Sequence, residues 1–193
     1  HAQFRRQRQM CIRDRYSALR TNLLDGIIDA FAYNQSQGNG ALNGFEIGRI
    51  FRKIDGEIAE WDNIAGIMGG DLLPQGRWTR SGKANPMSWF EAKGILERVF
   101  QRLGVSVEYR QDSEDERLHP GRTAALWLQG QKLGIFGQIH PQLRQEKDLM
   151  DEVYAFELDF RCLSKVLNRD SLLTPHSVSY THLTLPTKLS GGV

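Results

Sequence analysis

Between residues 16 and 176 the sequence offers three histidines, His119, His140 and His176, and a single cysteine, Cys162. Imidazole and thiolate are the side chains best suited to proton transfer, nucleophilic attack and zinc ligation near neutral pH. Their spacing assembles none of these chemistries. His119 and His140 each precede a proline, and neither stands at a zinc-ligand interval from the other or from Cys162. Both read as turn residues making local hydrogen bonds, against the alternative of an autonomous hydrolase built on the His119 or His140 region. The run Asp112-Ser-Glu-Asp-Glu116 carries the oxygen ligands a hard cation takes, but reads more simply as a flexible, solvated acidic loop. Gly66-Ile-Met-Gly-Gly70 is glycine-rich, yet no lysine or capped helix follows at phosphate-loop spacing, so it reads as a tight sheet edge. No strained nucleophile elbow marks a Ser–His–Asp arrangement. The residues nominate no catalytic, cofactor-binding or metal-ligating side chain.

The elements around these residues are legible from periodicity. Leu19, Leu23, Ile27 and Phe31 recur at helical spacing, with Leu24 and Ile28 widening the stripe, so a helix is expected near 18–33 with Ser17 as its N-cap. A polar loop, Gln35 to Gly40, should end it. Strands are expected near 44–51 and 58–68, joined by the Asp55-Gly56 turn, and residues 71–85 read as a loop. Ser88-Trp-Phe-Glu91 is a capping box that opens a helix near 88–103, with Ala92, Leu96, Val99 and Leu103 on one face and Gly104 as its stop. A short strand follows from Val105 to Tyr109. Leu118 to Arg122 reads as a turn into a strand near 123–128. Gly130-Gln131 turns the chain back through 132–139, and Pro141 suits the start of a short helix. A last strand, 153–159, leads into a helix through Leu163, Val166 and Leu167. Hairpins interleaved with long helices imply an α+β domain, an antiparallel sheet flanked by helices.

The ends obey a different logic. One legal coding of Arg5 to Asp14 is CGT CGG CAG CGT CAG ATG TGT ATA AGA GAC, and its reverse complement translates as Val178 to Thr187 without a mismatch. Protein physics does not select inverted complementarity at opposite ends of one reading frame; a library adapter produces it. Residues 1–15 and 177–193 are therefore expected to be adapter-derived flanks, and residues 16–176 the domain. The whole chain has 25 Lys and Arg against 23 Asp and Glu, a formal +2. Arg5, Arg6, Arg8, Arg13, Arg15 and Lys188, against Asp14, lie in the flanks, leaving 19 basic and 22 acidic residues in the core, a net of −3. The apparent basicity is thus no footprint for nucleic acid. About 160 residues suffice for one domain with its own core. No apolar run approaches the ~20 residues of a membrane span. A lone core cysteine and no recognisable secretory signal fit the cytoplasm.

Five segments together resemble the β chain of phenylalanine–tRNA ligases: Ala18-Leu-Arg-Thr-Asn-Leu-Leu24, Gly44-Phe-Glu-Ile-Gly-Arg-Ile-Phe51, His119-Pro-Gly-Arg-Thr-Ala124, Gly134-Ile-Phe-Gly-Gln-Ile-His-Pro141 and Tyr154-Ala-Phe-Glu-Leu-Asp159. Their order spans nearly the whole core. The resemblance implies a class II aminoacyl-tRNA synthetase-like fold and a catalytically silent core. It implies a partner α subunit in an α2β2 assembly, and tRNA and ATP with Mg handled by the whole enzyme, none of them held by this fragment. An active site of that class needs phosphate-gripping arginines; here the strand at Phe45-Glu46 has no Arg-x-Glu, and Gln138-Ile139 follow Gly134-Ile-Phe-Gly137. The outer side of the helix Ala18 to Phe31 is the expected subunit interface, the alternative being that both its sides are core.

Overall fold

The computed structural model describes residues 19–38, 43–70, 86–149 and 152–167. Ser17, the 71–85 loop and both proposed flanks lie outside the described residues. The elements, in chain order, are α1 (Leu24–Ser36), β1 (Gly44–Ile54), β2 (Glu57–Gly69), α2 (Trp89–Arg102), β3 (Val107–Gln111), β4 (Leu118–Leu128), β5 (Gln131–Ile139), α3 (Pro141–Glu146), β6 (Val153–Asp159) and α4 (Phe160–Val166). The strands form one sheet in the order β1-β2-β6-β5-β4-β3, with every neighbouring pair antiparallel.

Local chemistry sets most of these boundaries. Asp55 and Gly56, at φ 50° and 91°, make the tight β1–β2 turn whose twist matches its strands. The β4–β5 turn is Gln129-Gly130, at φ 49° and 77°, one residue earlier than expected. At α2 the capping box forms as read: the Glu91 N–H donates to Ser88 Oγ at 3.3 Å and the Ser88 N–H to Glu91 Oε2 at 2.7 Å. The buried row of α2 is Ala92, Leu96 and Phe100, an i, i+4 line, while Val99, expected on that face, is 48% exposed. His119 to Arg122 is not a separate turn but part of β4, where the register with β5 slips between Leu118 and Thr123. A bulge takes up the proline and glycine there.

Because β6 lies between β2 and β5, its alternating side chains feed two cores. On one face Tyr154 and Leu158 pack with Phe136, Leu126 and the buried row of α2, together with Cys162 and Leu163 of α4. On the other, Val153 and Ala155 pack with Ile50, Ile67 and Ile139 under α1. Helix α1 starts at Leu24, later than expected, and Gln35 and Ser36 belong to it, not to the following loop. Leu23, Leu24, Ile27, Ile28 and Phe31 are all buried, none more than 6% exposed. This overturns the expected interface: the broad stripe fills the space between helix and sheet, and only Leu19 of the six-residue pattern's start stays exposed.

The sheet is tight where β5 meets β6. A Cβ added to Gly134 would meet the Glu157 carbonyl oxygen and Leu158 Cα, both backbone atoms that cannot step aside. Gly134→Ala should therefore lower unfolding free energy by roughly 1–3 kcal/mol, read from the urea midpoint; an unchanged midpoint would mean the strands have room there.

Candidate functional site

Helix α1 has no side-chain cap of its own, since Leu23 occupies the N-cap position. Its first N–H groups need an acceptor, and Glu157 on β6 provides it. The Leu23 N–H donates to Oε1 at 3.2 Å and the Leu24 N–H to Oε2 at 3.3 Å, while Asn63 Nδ2 on β2 donates to Oε1 at 2.7 Å. Glu157 is 7% and Asn63 6% exposed. Asn63 Oδ1 has no hydrogen-bond partner among the described residues.

Beside this cluster, on the same sheet face, lies a cavity of about 380 Å³. Asn63 and Glu157 line it, with Trp61 as an aromatic wall. Its charged lining comprises Asp112, Glu114, Asp115, Glu157 and Asp159 against Arg52, Arg117 and Lys132, five carboxylates to three cations. Two of the three cations are ion-paired. Arg117 donates from Nη2 to Asp115 at 2.7 Å and from Nη1 to Asp25 at 2.9 Å. Lys132 Nζ lies 3.0 Å from Asp112 and 3.4 Å from Glu114. Arg161, gripped by Asp159 at 2.7 Å, lies over the Trp61 ring at 3.8 Å, and Arg52 is 5.9 Å from the same ring.

Burial pushes the Asp112 carboxyl up, but the Glu114 N–H and Lys132 outweigh it and hold the group below its ordinary range. Burial likewise acts on Asp115 and is outweighed by Arg117; at Asp159 it is outweighed by Arg161. The Arg117 guanidinium is raised, chiefly by its hydrogen bond to Asp115. The acidic run is therefore not the solvated loop expected of it. Two of its carboxylates, Asp112 and Asp115, are held against protein cations, and Glu114 alone of the run's Lys132 partners stays open to water.

His119 and His140 come together elsewhere, with ring centroids 6.5 Å apart. Each Nδ1 accepts a local backbone N–H, from Gly121 at 3.0 Å and Gln142 at 3.2 Å, as turn residues do. Neither lines the cavity. Cys162 is buried, and burial pushes its thiol up, which suppresses the thiolate that reactivity needs. Gln138, 5% exposed, accepts from Arg122 Nη1 at 2.8 Å, and Ile139 is core. Among the described residues no group of three or more His, Cys, Asp or Glu is placed to hold a metal, and no helix is long and apolar enough to cross a membrane. Sequence reading missed Asn63, Trp61 and Glu157. For Glu157 a signal existed: a lone carboxylate inside the apolar run Val153 to Leu158, where an unpaired charge is costly.

An ATP phosphate chain does not fit this lining. Triphosphate recognition takes several uncommitted guanidinium or ammonium groups aimed at its oxygens, whereas here only Arg52 of the lining cations has no ion pair among the described residues, Arg117 and Lys132 are held by carboxylates, and the acids outnumber the cations.

Comparison with known proteins places these features. The family model described as "Phenylalanyl tRNA synthetase beta chain CLM domain" matches residues 9–160. The phenylalanine–tRNA ligase beta subunit of Trichormus variabilis is 59% identical over 166 residues, 86% of this chain and 20% of that protein. The same subunit of Synechocystis sp. is 57% identical over 166 residues, again 86% and 20%, and that of Gloeobacter violaceus is 42% identical over 143 residues, 74% and 18%. The chain spans about a fifth of the length of the curated relatives it matches. Among solved structures, a pyrrolysyl tRNA synthetase of Desulfitobacterium hafniense superposes with a TM-score of 0.54 at 15% identity, over 79% of this chain and 50% of that one. At that identity the likeness shows the fold, and it is the class II synthetase-like sheet expected from the sequence.

Two measurements probe the site's electrostatics. Glu157→Gln keeps the shape but puts an amide donor against the α1 N–H groups or Asn63; urea unfolding should show a loss of about 1–3 kcal/mol, and a loss below about 0.5 kcal/mol would show that the cap contributes little. Asp112, Asp115 and Asp159 have folded values below their unfolded ones, so the stability they contribute is present above the unfolded carboxyl range and is lost as pH falls below about 4 through the folded values. Asp115→Asn should be less stable at neutral pH yet lose less on acidification; parallel melting-temperature profiles for the two proteins between neutral and acid pH would contradict that.

Proposed function

Since the chain belongs to the phenylalanyl-tRNA synthetase β-chain family by its CLM domain, we propose that it is the non-catalytic synthetase-like core of a phenylalanine–tRNA ligase β subunit. Its role is to support assembly of a cytoplasmic, ATP-dependent enzyme that attaches phenylalanine to its tRNA. In this reading it pairs with an α subunit in an α2β2 assembly, the α subunit carries the chemistry, and ATP, Mg and tRNA are engaged by the whole complex. Residues 1–15 and 177–193 are foreign flanks, on the strength of their coding complementarity.

The observation that carries the silent role is the ion pairing in the cavity. Arg117 and Lys132, cations suited by type to hold phosphate, are held by Asp115, Asp25, Asp112 and Glu114. A developing charge on a triphosphate would meet a wall with an excess of carboxylates, and electrostatic stabilisation of that charge is the largest catalytic contribution such a site can make. No observation favours the hydrolase alternative: His119 and His140 spend an Nδ1 each on a backbone N–H, and neither faces the cavity.

The purified chain, given phenylalanine, ATP and Mg, should show no ATP–pyrophosphate exchange above a no-enzyme blank, and should restore exchange to neither more nor less than the level of the α subunit's own partnered complex when incorporated in a full-length β chain. Exchange by the chain alone would defeat the silent role.

A further inference from the structure

We draw no further inference here: the strongest candidate, the exposed apolar strip of Phe45, Ile47 and Ile58 on the β1–β2 hairpin at the edge of the sheet, carries nothing further because nothing in the structure shows what covers it.

Discussion

A buried carboxyl group at the centre of a sheet has to be surrounded by donors, because a polar oxygen that loses water without replacement costs about 1–3 kcal/mol. Glu157 meets that requirement with groups that have the converse need. The first N–H groups of α1 have no local acceptor, Leu23 having no oxygen to offer, and Asn63 presents its amide from the neighbouring strand. The donors and the acceptor are more than 130 residues apart in sequence for the two helix bonds, so the bonds fix the helix start directly over β6. Once α1 is docked there, Leu24, Ile28 and Phe31 have only one place to go, against Ile67, Val153 and Ala155. The second core follows from the first three hydrogen bonds.

That placement also decides how charge is distributed. The α1 start brings Asp25 to Arg117, joining the helix to β4's approach, and Lys147 after α3 reaches Asp29 at 2.6 Å. Exposed ion pairs of this kind contribute little each, but they consume side chains that would otherwise be free to meet a ligand. On the outer strands the arrangement is different: Arg49 pairs across the β1–β2 hairpin with Glu60 and Asp62, while Phe45, Ile47 and Ile58 stay largely exposed. That strip, and not the α1 stripe, is where this region of the fold leaves apolar area exposed.

Elements whose signals are local were legible in the sequence. The capping box at Ser88, the Asp55-Gly56 turn and Pro141 at the start of α3 each act within a few residues, and each sits where periodicity and turn chemistry put it. The α1 start was misplaced because its cap is Glu157, a residue with no sequence proximity to announce it. The same holds for the stripe of α1: six apolar residues on more than half a circumference look like two faces in one dimension, and only the sheet and the returning Leu149 and Ile139 show that one broad core absorbs five of them. The acidic run was misread partly for a related reason, since Lys132 reaches Asp112 only when β4 and β5 pair; Arg117, two residues after Asp115, was a local signal passed over. The cavity itself was invisible, being assembled from segments spread between Asn22 and Asp159.

Fold stability and phosphate chemistry compete for the same side chains on this face. Arginine and lysine grip phosphate only when their charge is unspent in the ground state, which makes such a site electrostatically costly until substrate arrives. Here the competition has been resolved toward the fold: burial alone would raise Asp112 and Asp115, yet Lys132 and Arg117 hold them ionised, and Asp159 with Arg161 closes the face of Trp61. Releasing those cations would leave partly buried carboxylates uncompensated, so a single substitution cannot restore a phosphate site without loosening β4, β5 and the α1 start together. A sheet whose Arg117 and Lys132 are held by its own carboxylates spends its polar residues on holding its elements in register, and Glu157 does the same in the interior by capping α1.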